Sequence, residues 1–231
     1  MLVGAFMKKL LLSGVAIAAI TVAAGMPAKA APPSAFSWTG CYIGGNIGGG
    51  WANKFFSREP DFFDGFGPAH MSSIAGGAQI GCDVQNGMWV YGVQGMFDWT
   101  DMHGNSPFFL GKGYTTHIPW FATAAGRVGY LAQPNVLFFV KGGAAFVRDE
   151  HVWIDAGVGA FASANVTRSG WLLGGGGEWM FAPNWSVAIE YGYMGFGTRT
   201  ISFQSPVSFR DNISQHVQAV LVSMNYHFGS R

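Results

Sequence analysis

Five histidines, His70, His103, His117, His151 and His216, lie in or beside polar stretches, and Met71 and Met102 adjoin two of them. Haem iron accepts imidazole or thioether as axial ligands. That makes His70, His103, His151 and His216 candidate haemin ligands, although no Cys-x-x-Cys-His element fixes the set. Residues 214 and 216 share a face of an extended strand. Ser214 and His216, with Asp211 close by, are thus the residue types of an acyl-transfer nucleophile, base and orienter. A third set is electrostatic: Asp83, Asp98, Arg127, Lys141, Glu178 and Glu190 interrupt otherwise apolar segments. Charges withdrawn from water need partners, so ion pairs between segments are expected. The glycine runs at 48–50 and 174–177 are not phosphate loops, because no Gly-Lys-Ser/Thr follows a strand and opens a helix.

The chain that must position these groups has 231 residues, of which 49% are hydrophobic and only 11% charged. Soluble domains carry about 25% charged residues. A transmembrane helix needs about 18 apolar residues in succession. The best run after the N-terminal segment, Val136 to Val147, is cut by Lys141 and preceded by Pro134. An apolar chain without such a run points to a β-barrel, the other architecture that can span lipid.

Aromatic spacing gives the same reading. Trp89 and Trp99, Trp120 and Tyr130, and Trp171 and Phe181 each stand ten residues apart. Ten residues at about 3.3 Å each, tilted by about 40°, cover about 25 Å, the height of the apolar band between the two girdles of an outer-membrane barrel. Eight strands are predicted, over Trp38–Ala52, Ser73–Gln85, Met88–Thr100, Thr115–Ala132, Val136–Arg148, Val166–Ala182, Trp185–Phe196 and Gln215–Phe228. Asn86-Gly87, Gln133-Pro134-Asn135 and Pro183-Asn184 are tight turns. Long loops are expected near 53–72, 101–114, 149–165 and 197–214, so the short turns are periplasmic and the loops external. Within the strands, Trp89, Tyr91, Val93, Phe97 and Trp99 are expected to face lipid, as are Val187, Ile189, Tyr191 and Tyr193. The six charged residues face inward, where an eight-stranded lumen is just wide enough for side chains to fill. They are expected to plug the barrel; a narrow permeation path is the alternative.

At the N-terminus, Lys8 and Lys9, the apolar stretch from Leu10 to Gly25 and Ala28-Lys29-Ala30 read as a cleaved signal peptide over residues 1–30. The barrel domain then occupies 31–231. Without Lys8, Lys9 and Lys29, 10 basic residues face 12 acidic ones, which leaves no basic patch for nucleic acid. Cys41 and Cys82 fall on outward positions of neighbouring strands. We expect free thiols at the lipid boundary, behaving as small hydrophobes, because a bridge must meet strict geometry; oxidation after export is the alternative.

Trp38-Thr39-Gly40-Cys41-Tyr42-Ile43-Gly44 resembles the W-x-G-x-Y-x-G opening of small outer-membrane β-barrel proteins, the porin-like or outer-membrane immunogenic proteins. The segments 89–99, 120–130, 141–144 and 183–193 and the closing Asn225-Tyr226-His227-Phe228 continue the similarity in order and spacing. Cys82 stands where the family usually has an aromatic residue. The resemblance implies an eight-stranded antiparallel barrel in a Gram-negative outer membrane. Its implied partners are outer-membrane lipid and lipopolysaccharide, with periplasmic chaperones and the barrel-assembly machinery during biogenesis. Some family members are described as haemin-binding. The expected role is non-enzymatic: envelope structure and surface presentation without a resident cofactor or metal. A narrow channel or a haemin receptor is the alternative, ahead of an enzyme acting on lipid acyl chains.

Overall fold

The computed structural model describes residues 36–58, 69–109, 112–155, 160–203 and 209–228. The predicted signal peptide lies outside them, as do the side chains of His151 and Asp211. Eight strands are seen: β1 (Gly40–Arg58), β2 (Ala69–Asn86), β3 (Trp89–Phe109), β4 (Lys112–Gln133), β5 (Val136–Asp155), β6 (Ala160–Ala182), β7 (Trp185–Phe203) and β8 (Phe209–Phe228). Each pairs antiparallel with the next, and β8 closes onto β1. Over the rows that all eight strands share, closure leaves no unpaired edge, as a hydrocarbon surrounding demands; beyond Thr100 β3 pairs only with β4, and before Trp171 β6 pairs only with β5.

The pairing fixes the barrel's dimensions. A row that starts at Ile43 runs through Ile80, Gly95, Ala124, Ala144, Trp171, Gly195 and His216 and returns to β1 at Asn53, ten residues further along. Ten residues of stagger are about 33 Å, against about 38 Å for eight strands at 4.8 Å spacing. The strands therefore tilt by about 41°, inside the range that links strand number to stagger in barrels.

The strands alternate apolar-out and inward-facing, with Trp89, Tyr91, Val93, Trp99, Ile189, Tyr191, Val222 and Met224 exposed. Trp89 pairs with Tyr130, and Trp99 with Trp120, so the ten-residue aromatic pairs form two rims. Trp185 against Tyr226 and Trp179 against Phe181 extend the lower rim.

Four expectations need correction. First, the stretches expected as long external loops are mostly strand: β1 runs to Arg58, β3 to Phe109, β5 to Asp155 and β7 to Phe203. Above the lipid nothing enforces an apolar outer face, so the ladder continues through sequence that reads as polar loop. Second, the β2–β3 turn is Gly87-Met88, one residue later than Asn86-Gly87, because Asn86 pairs with Trp89. Gly87 has φ +62°, a left-handed value that glycine adopts without steric cost. Third, Trp38 precedes β1, buried under the barrel rather than on its wall. Its indole N–H donates to the Pro134 carbonyl at 3.1 Å, and its ring meets the His227 ring edge-on. Fourth, Cys41 and Cys82 are not free thiols; a disulfide joins them. They are direct partners across the β1–β2 ladder, with Cα atoms 3.9 Å apart. Both side chains leave the same outer face of the barrel.

Candidate functional site

Every inward side chain of the barrel meets one narrow axis, so the lumen collects residues distant in sequence. It is layered. A floor of Trp38, Val90, Leu131, Leu137, Phe139 and Met180 closes the end that carries the short turns. A polar layer stands above it, and then an apolar plug that includes Met96, Met102, Phe121, Leu172 and Met194. The interior is thus more apolar than a water-filled channel.

In the polar layer Arg127 is the centre. Its Nε donates to Asp83 Oδ1 at 2.8 Å and one terminal nitrogen to Glu178 Oε2 at 3.0 Å, while the other terminal nitrogen bonds Asp83 Oδ2. The guanidinium lies 4.8 Å from the centre of the Tyr42 ring and 5.3 Å from that of Phe139. Fork geometry and ring faces together are what guanidinium recognises best. Glu178 also accepts from Ser186 at 2.6 Å and Asn225 at 2.8 Å. Gln79 donates to Asn225 at 2.6 Å, Gln94 donates to Gln79 at 3.3 Å, and Lys141 donates to Gln94 at 2.9 Å and to Glu190 at 2.8 Å. One hydrogen-bonded chain therefore runs across the lumen from Asp83 on β2 to Glu190 on β7. Where Met96, Phe121, Lys141, Leu172 and Glu190 meet, the remaining space is about 10 Å³, at the lower limit for a single water. Asp98 is fully buried but stands apart from this chain, near the apolar plug.

A second buried group lies above the outer aromatic rim. Lys54, three residues beyond Trp51, bonds Asp149 at 3.0 Å; Gln215 donates to Asp149 at 3.2 Å and accepts from Arg168 at 3.1 Å. Burial pushes the Lys54 ammonium below the usual lysine range, and Asp149 opposes that shift. Sequence reasoning missed this group because Lys54 and Asp149 fall in stretches taken for loops. The signal was alternation itself: Ala52 and Lys54 are both buried, as are Val147 and Asp149.

Among the described residues, the candidate haemin ligands His70, His103 and His216 are not brought together. His70 on β2 bonds Asn53 at 2.5 Å, His216 on β8 bonds the Tyr193 hydroxyl at 2.8 Å, and His103 on β3 stacks on His117 of β4. Met71 and Met102 point into the apolar plug, away from those histidines' face. Ser214 and His216 do share a face, but His216 Nδ1 is engaged by Tyr193 rather than aimed at Ser214.

The family model for the outer membrane protein beta-barrel domain matches residues 16–228. The 31 kDa outer-membrane immunogenic protein of Brucella melitensis biotype 1 is 30% identical over 224 residues, covering 86% of this chain and 87% of the relative. Its Brucella suis biovar 1 counterpart matches equally. Among solved structures, the outer membrane protein OprG from Pseudomonas aeruginosa shares the fold, with a TM-score of 0.55 at 11% identity, over 84% of this chain and 99% of that one. A closed barrel with two aromatic rims, a filled lumen and these relatives lead to one assignment: the chain belongs to the outer-membrane protein β-barrel family and is an outer-membrane protein.

Proposed function

We propose that this barrel is a non-conducting, non-enzymatic envelope protein that stabilises the outer membrane and presents its outer strands to the surroundings. The observation that carries the reading is the hydrogen-bonded chain from Asp83 to Glu190, with about 10 Å³ of space left beside it. An ion entering there would have to break buried charge pairs, and each break leaves an unpaired charge in a low-dielectric interior. The runner-up, a narrow channel, requires that breakage. Lipid and lipopolysaccharide are the proposed partners of the outer face, and periplasmic chaperones and the barrel-assembly machinery those of biogenesis. The Brucella relative's description as an immunogenic outer-membrane protein supports surface presentation. No prosthetic group enters this reading, since His70, His103 and His216 stand on three strands with separate partners. Haemin titration of the refolded protein is expected to give no saturable Soret shift.

A deletion strain tests the role. It is expected to become sensitive to detergents and to regain resistance with the wild-type protein. Unchanged resistance combined with slower uptake of small solutes would replace this reading with the channel.

A further inference from the structure

Pro119 creates a feature of the outer rim that the barrel itself does not need. Trp99 pairs with Trp120 and Met102 with Ile118, so two β3 residues oppose Pro119 alone. On the other side, His117 pairs with Glu150 and Trp120 with Arg148, so Ile118 and Pro119 oppose one residue of β5. Proline has no N–H for the ladder and is tolerated at such bulges. The extra residue shifts the phase of β4. Phe121 and Ile118 both point inward, three apart, and His117 is turned to the outer face. There it becomes the direct cross-strand partner of His103.

The two imidazoles are parallel within 7°, with centres 4.4 Å apart. Both Nε2 atoms aim at one oxygen, Asp101 Oδ1, at 2.7 Å from His103 and 3.1 Å from His117. One ligand atom from each of the three residues lies within 4.8 Å of the others. A tetrahedral Zn²⁺ with bonds of 2.0–2.1 Å needs its ligand atoms about 3.3 Å apart. The two Asp101–histidine separations reach that by opening a few tenths of an ångström; the two imidazole nitrogens, within 4.8 Å of each other, reach it as the stacked rings tilt toward the ion. His117 presents Nε2 to the cluster and Nδ1 to Glu150 Oε2 at 3.4 Å, and Arg148 Nε contacts Glu150 Oε1 at 3.4 Å. A carboxylate on the far nitrogen is how metal-binding imidazoles are held in tautomer and orientation. The side chains of His103 and Asp101 are 57% and 76% exposed, so an ion can arrive from outside.

We propose that Asp101, His103 and His117 form a surface site for a divalent first-row transition-metal ion of the Zn²⁺ class, with Glu150 as the positioning residue for His117. Two imidazoles select nitrogen-seeking metals over Mg²⁺ and Ca²⁺, which take oxygen ligands. The remaining coordination positions face solvent.

The test is equilibrium dialysis of the untagged, refolded full chain against micromolar Zn²⁺, with Mg²⁺ in excess and bound metal quantified. One Zn²⁺ per chain is expected. H103A and H117A should each weaken binding more than about tenfold, and E150Q by about 10- to 100-fold. H70A and H216A should bind as wild type does. Unboiled gel migration checks that every variant retains the barrel. Absence of saturable Zn²⁺ retention, or equal retention by the H103A/H117A double variant, would overturn the proposal. So would loss of binding in H70A or H216A alone.

Discussion

Removing the disulfide by replacing both Cys41 and Cys82 with alanine should cost stability by a calculable amount. The bridge spans a sequence separation of 41. Loop-closure entropy for that length is about 13 cal/mol/K, or about 4 kcal/mol at 25 °C, withdrawn from the unfolded ensemble. Alanine suits the outer face at both positions, so little folded-state cost is added. With a urea slope of about 2 kcal/mol/M, the unfolding midpoint should fall by about 2 M. The assay is urea unfolding of the refolded protein in lipid vesicles, followed by tryptophan fluorescence. Reductant should lower the wild-type midpoint to that of C41A/C82A and leave the variant unmoved. Equal midpoints for oxidised wild type and variant would refute the reasoning.

Arg127→Met should destabilise the barrel by about 3–5 kcal/mol, because it strands Asp83 and Glu178 as buried unpaired charges. Adding D83N and E178Q should recover much of that loss in the same urea assay. Gly81 pairs with Tyr42, and a Cβ there would stand 2.5 Å from the Tyr42 ring. Gly81→Val should therefore cost about 1–3 kcal/mol as an overpacked contact, seen as a lower temperature for loss of the fast-migrating unboiled gel form. For topology, Thr198→Cys should react with an impermeant maleimide on intact cells, whereas Gly87→Cys should react only after permeabilisation.

Strand identity was most legible where lipid enforces contrast. On β3, Trp89, Tyr91 and Val93 alternate with inward Val90, Gly92 and Gln94, and β8 shows the same dyad from Val220 to Phe228. The contrast fades above the outer aromatic rim, where apolar and polar residues no longer alternate strictly, as in Lys54-Phe55-Phe56-Ser57. That is why the ends of β1, β3, β5 and β7 read as loops and why Lys54 and Asp149 escaped notice. It also fades inside the apolar plug, where Met96 and Met194 are as hydrophobic as their outward neighbours. The six charged positions were legible because each breaks an apolar run. Which partner each meets depends on the ten-residue stagger, a property of closure that no single segment carries. His117 was placed beside His103 by a one-residue bulge, and a one-residue shift reverses every side chain beyond it. The disulfide was half legible: the positions 41 and 82 already implied the register that runs through the whole β1–β2 ladder, but spacing alone does not carry the Cβ directions that a bridge requires.

Planar-bilayer recording of the refolded wild-type protein tests the central claim most directly. A lumen crossed by paired charges, with room for no more than about one water beside them, should give no steady single-channel current across the voltage range the bilayer survives. Reproducible ohmic steps from the wild-type protein would contradict the account and show that the charged layer conducts.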